Sequence, residues 1–184
     1  GIYYSQQPDV DRGWALARLK IRRAVYDEDR LLAARRTLGN GLSDLIKEVL
    51  ADSIKILEDG SEANRSVGIE LVGGLISRYS SLGRSDLASA VLGTVANPET
   101  GAKALFDWTL WTRAALLDAE ANRTLAVAAR ASLDRTQLKV DANHEAELKI
   151  LVELITKHPE SQFAAMAVEK VLALSQHYQA YRAW

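Results

Sequence analysis

Cysteine is absent from the 184 residues, which excludes disulfides, thiolate metal ligands and cysteine nucleophiles. Proline occurs only 3 times, so little interrupts a helix, and β-branched or aromatic residues dominate no segment. Neither sign of charge prevails: the formal net charge is −1, and no overall field draws the chain to nucleic acid or an anionic membrane. No apolar run approaches the roughly 18 residues that a membrane span needs. The opening Gly-Ile-Tyr-Tyr-Ser has neither an initiator methionine nor a signal-like apolar core, as expected of a processed protein or an excised domain. The sequence also contains no GxSxG, P-loop, GxGxxG or HExxH motif.

What remains is rich in alanine, leucine, arginine and glutamate, a helix-forming composition, with 48% apolar and 26% charged residues. Apolar residues recur at helical spacing almost throughout, and no segment alternates as a strand would. Residues 1–8 read as a loose start, after which Asp9 or Asp11 caps a helix carrying Trp14, Ala17, Ile21 and Val25. Tyr26-Asp27-Glu28-Asp29 reads as a turn before a short helix, Leu31 to Leu38, which Gly39-Asn40-Gly41 stops. A long stripe follows from Leu42 to Leu57, then Gly60 and a capping Ser61. The next stripe, Val67 to Tyr79, contains Gly68, Gly73 and Gly74, small residues suited to close approach by another helix. Asn97-Pro98-Glu99 has the pattern of a helix start, and the helix carrying Leu105, Trp108, Trp111 and Leu116 breaks at Ala119 to Asn122. A helix with Leu125, Ala129 and Leu133 follows; Asp141 then caps another carrying Leu148, Leu151 and Ile155, and His158-Pro159-Glu160-Ser161 leads into the last. The pattern predicts about nine helices with short links, hence neighbouring antiparallel pairs, and no Ser/Gly/Pro-rich linker divides residues 1–184, which read as a single all-helical domain.

The stretch from Leu75 through Tyr79, Leu82-Gly83, Leu87-Ala88 and Val91-Leu92 resembles a tetratricopeptide (TPR) unit. Leu75 and Tyr79 take the family's first-helix positions, Gly83 its turn glycine, and Ala88 the small residue at the helix crossing, with Leu92 and Val95 following. Ile76 departs from the small residue usual there, and Pro98 falls before the expected closing proline. A second fragment, Leu151 to Ala167 around Pro159 and Ser161, resembles the junction between repeats in bacterial cell-envelope TPR proteins, a slight lean towards the periplasm. The echoes cover about half the chain at irregular spacing. The resemblance implies an all-α stack of antiparallel helix pairs, a TPR-like α-solenoid, with an irregular helical bundle as the alternative.

Such stacks offer curved surfaces to peptides, so the expected role is a non-catalytic protein–protein interaction scaffold that binds a protein or peptide or self-associates. The alternatives are an accessory domain of a larger enzyme, or a nucleic-acid-binding domain acting through Arg18, Lys20, Arg22, Arg23, Arg30, Arg35 and Arg36. By resemblance, Glu70, Ser77 and Ser80 line the binding face. Trp108 and Trp111, three residues apart, are either core or an interface anchor, and the stripe Tyr178, Tyr181 and Trp184 either folds back or docks on a partner. No catalytic residue, cofactor or metal ligand is assigned. His144 with Glu147 shares a helix face, as in a di-metal bundle, but matching inward carboxylates are wanting and a surface histidine in a first turn is the preferred reading.

Overall fold

The computed structural model describes residues 7–127 and 133–182, and within them every regular element is helical. Seven α-helices follow in order: α1 (Gln7–Ala33), α2 (Asp44–Leu57), α3 (Glu62–Ser81), α4 (Ser85–Val95), α5 (Phe106–Val127), α6 (Leu133–Lys157) and α7 (Gln162–Arg182), with a short 3-10 helix at Lys103–Leu105. The chain forms two compact units, Gly1–Phe106 and Asp107–Trp184.

Several helix ends follow directly from local chemistry. Ser43 and Ser61 cap α2 and α3, each hydroxyl accepting from the backbone N–H three residues on. Gly83 closes α3 at φ +70°, and the N–H groups of Gly83 and Arg84 donate to the carbonyls of Ser80 and Tyr79. Ser161 opens α7 by accepting from the N–H of Phe163, as expected.

Other expected breaks do not occur. Tyr26 to Asp29 lies inside α1, because Glu28 is buried and its carboxylate accepts from the Tyr79 hydroxyl at 2.8 Å and from Arg78. Residues 34–43 form a connection rather than a second helix: α1 ends in a left-handed Arg35 (φ 56°), with the N–H groups of Arg35 and Arg36 donating back to Leu32 and Leu31. Asn97 accepts from the N–H groups of Glu99 and Thr100, yet this closes a tight turn, and α5 begins only at Phe106. Ala119 to Asn122 continues α5 because Ala121 is fully buried, and Asp141 lies within α6 rather than at its start. Merged segments leave seven α-helices among the described residues instead of nine. The part of the expected Leu125–Leu133 helix at residues 128–132 lies outside the described residues.

In the first unit, Lys20 of α1 reaches Glu48 and Asp52 of α2, while Gly13 lies against Ile56, so α1 and α2 run antiparallel. The α1–α3 contacts keep a constant offset: Trp14 donates to Asn64, Arg18 to Glu70, and Tyr79 to Glu28, separations of 50, 52 and 51 residues. The two helices are therefore parallel, the first members of two neighbouring hairpins, α1–α2 and α3–α4. Gly68 admits the side chain of Leu57, a Cβ there coming within 2.9 Å of it, so the anticipated close approach occurs at this glycine. Ile46, Val49, Leu50, Val72, Leu75, Tyr79, Ala88 and Val91 fill the core between.

The second unit repeats that order. α6 and α7 run antiparallel, with His144 opposite Tyr178 and Glu147 opposite Lys170. α5 and α7 run parallel, with Asp107 accepting from Ser161, Trp111 stacked on Phe163, and Asp118 paired with Lys170. Its core gathers Ala114, Leu151, Leu154, Ala167 and Leu174.

Candidate functional site

The first unit's surface carries a groove of about 310 Å³ between α1 and α3, lined by Arg18, Ile21, Arg22 and Val25 from one helix and Glu70, Leu71, Gly74, Leu75 and Arg78 from the other. Helical geometry explains the lining: positions 18, 21, 22 and 25 share one face of α1, and 70, 71, 74, 75 and 78 share one face of α3. Gly74, with nothing within 4 Å of where a Cβ would stand, leaves the floor open. Polar contacts pin both ends, Trp14–Asn64 at one and Glu28 with Tyr79 and Arg78 at the other. Between them the Arg18–Glu70 pair spans the rim at 3.5 Å, with both side chains well exposed.

Of the residues expected on the binding face, Glu70 lines this groove. Ser77 is exposed and Ser80 half-buried, and neither belongs to the lining. Trp108 is buried and Trp111 stacks on Phe163 at 6.5 Å beside the second core, which makes both packing residues. The side chain of Tyr181, and the whole of Trp184, lie outside the described residues. The early basic cluster is divided: Arg18 pairs with Glu70, Lys20 pairs with Glu48 and Asp52, and Arg30 lies over the Tyr26 ring without an acid partner among the described residues. The two acids hold the Lys20 ammonium pKa above its usual value through hydrogen bonds. Arg18 and Arg22 were readable only as members of that charge cluster, since their groove partners lie half a hundred residues away.

Leu16, Leu19 and Tyr26 of α1 are each at least half exposed, but helical geometry turns them about a quarter to half a turn away from the groove face.

A second polar cluster lies inside the helical unit of α5, α6 and α7. His144, expected on the surface in a first turn, is 7% exposed and sits well inside α6, because Leu133 rather than Asp141 begins that helix. Glu147, one turn on, is 1% exposed, and Asp118 of α5 completes the group. One donor atom from each of the three lies within 4.8 Å of the other two. Lys170 of α7 approaches Asp118 at 3.0 Å and Glu147 at 3.8 Å. Burial pushes the Glu147 pKa up to about 7, against the pull of Lys170 and with a further push from Asp118. The Tyr178 hydroxyl stands 3.1 Å from His144 Nδ1 and donates to Asp141 at 3.2 Å, and Gln137 donates to the same Asp141 oxygen. Burial, then the Asp141 charge, pushes the Tyr178 phenol pKa up to about 12, so it stays protonated and able to donate. The i, i+3 spacing of His144 and Glu147 was legible in the sequence; Asp118 and Lys170, on other helices, were not.

Compared with protein-family models, with curated proteins and with solved structures, the chain has no match, and function must be read from its own residues.

Proposed function

We propose that this chain is a non-catalytic protein-interaction domain, a TPR-like stack of helix pairs that holds an acidic, partly apolar peptide segment in the groove between α1 and α3. The single observation that carries this reading is the groove's lining: Arg18 and Arg22 against Glu70, with Arg78 already paired to Glu28 and Asp29 at one end, over a floor of Ile21, Val25, Leu71 and Leu75. A carboxylate on a bound segment would replace Glu70 at Arg18 and meet Arg22, while apolar side chains cover the floor. The parallel first helices of two hairpins supply such a surface, as first helices do in stacked helical repeats. The ion pairs that divide the early basic cluster favour this role over contact with a continuous phosphate backbone.

Selection from a random-peptide display library tests it. Enriched peptides should combine Asp or Glu with Leu, Ile or Phe, and the Arg22→Glu variant should bind a labelled enriched peptide about tenfold or more weakly, as loss and reversal of a groove charge requires. Binding should also weaken as salt rises. Enriched peptides without acidic residues, or affinity unaltered in both Arg22→Glu and Gly74→Leu, would sink the groove assignment.

A further inference from the structure

We propose that Asp118, His144 and Glu147 form a binding site for a divalent transition-metal ion, Zn²⁺ by ligand chemistry, in which Lys170 holds the place of the cation when metal is absent. The site is independent of the α1–α3 groove and of whatever that groove binds.

Three observations converge on it. The donor set is the first: one imidazole and two carboxylates, contributed by two helices and already within 4.8 Å of one another. A tetrahedral ion with bonds of about 2.0–2.1 Å spaces its ligand atoms about 3.3 Å apart, so modest side-chain rotations close the site. An imidazole beside carboxylates suits Zn²⁺ and its transition-metal neighbours better than Mg²⁺ or Ca²⁺, which prefer oxygen alone.

The second observation is Glu147 itself. Its side chain is 1% exposed, and its Oε2 is buried with no hydrogen-bond partner among the described residues. Leaving a carboxylate oxygen buried and unmatched is costly, and the Lys170 ammonium is shared between Asp118 at 3.0 Å and Glu147 at 3.8 Å. A divalent ion supplies the missing partner for Glu147 Oε2 and a closer cation than Lys170. Lys170, by contrast, is about a third exposed and has a flexible stem, so its ammonium can move out to solvent when an ion enters.

The third is the support around the histidine. Gln137, Asp141 and Tyr178 form a chain of hydrogen bonds that ends at His144 Nδ1, and the Tyr178 ring packs edge-on against the imidazole with centroids 5.9 Å apart. Outer partners of this kind fix ring orientation at metal sites. Three protein ligands leave a further coordination position for water or for a ligand from outside the chain.

The test uses the full chain, free of any affinity tag and stripped with a chelator, titrated with ZnCl₂ against a chromogenic zinc chelator and followed in parallel by thermal unfolding. One ion per chain should bind, raising the melting temperature. His144→Ala and Glu147→Gln should each weaken binding about tenfold or more, the usual cost of a lost ligand or close support. Lys170→Ala should strengthen it, a gain that a misfolded variant cannot mimic. With Co²⁺ as the probe, the visible absorption of a bound ion should be present in the wild type and lost in His144→Ala. Failure of both the wild type and Lys170→Ala to bind one ion, or wild-type affinity in both His144→Ala and Glu147→Gln, would overturn the site. An unchanged affinity in Lys170→Ala would overturn the role given to that lysine.

Discussion

Tyr79 shows how much can rest on one polar atom in an apolar interior. Its ring is fully buried, its hydroxyl donates to Glu28 at 2.8 Å, and burial together with that carboxylate raises the phenol pKa above its ordinary value. Tyr79→Phe keeps the ring and removes the donor, so a denaturant titration should show a loss of about 1–2 kcal/mol, the range for an unmatched partner of a charged acceptor. Glu147 gives the opposite expectation. In metal-free protein at pH 8, Glu147→Gln removes a buried charge while leaving Lys170 its bond to Asp118, and stability should rise by about 1–3 kcal/mol. A residue that lowers stability as it stands is more naturally explained by a ligand than by packing. Asp86 sets a pH response at the surface: Arg84 holds its carboxyl pKa down to about 2, from an ordinary 3.8. Because the folded value is the lower one, this contribution is present above about pH 4 and is lost as pH falls through 2. Asp86→Asn should therefore flatten that part of the acid-unfolding profile.

At the scale of elements, the turn between α4 and the 3-10 helix is the least tolerant. A Cβ on Gly101 would stand 2.3 Å from the carbonyl oxygen of Val95 and 2.5 Å from that of Asn97, both backbone atoms that cannot step aside. Gly101→Ala should cost about 1–3 kcal/mol, read from the shift in thermal midpoint, whereas Gly93→Ala, with open space around it, should not. Helix identity was legible from apolar spacing, and so were the ends marked by Ser61, Gly83 and Ser161, since capping is decided within a few residues. The false breaks at Tyr26 to Asp29 and Ala119 to Asn122 share one cause. Polar or small residues there suggested exposure, but Glu28 is satisfied by Tyr79 and Arg78 and Ala121 is packed, facts that belong to tertiary structure. The candidate sites divide in the same way. Glu70 came from the family resemblance and the His144–Glu147 spacing from a single helix, whereas Arg22, Asp118 and Lys170 gain meaning only when separate helices meet.

The molecule as a whole is two compact units, each with a buried core of its own and each built on a helix order in which the first and third members run parallel. Calorimetric unfolding should accordingly resolve more than one transition. Leu50→Ala, which hollows the first core at a cost of about 2–5 kcal/mol, should lower one transition and leave the other in place. The groove belongs to the first unit, and its two ends are clasped by bonds between the same pair of helices: an indole to an amide at one, a phenol and a guanidinium to a carboxylate at the other. Fastenings at both extremities oppose widening of the channel for a bulky visitor. If it holds a peptide as proposed, it would work as a gauge of preset bore, sorting guests by girth and by where their negative charges fall, with little ordering of the host left to be done on arrival. Fast capture with small backbone change is the behaviour such a gauge would impose, with the exposed Arg18–Glu70 contact as a bar to be lifted along the rim.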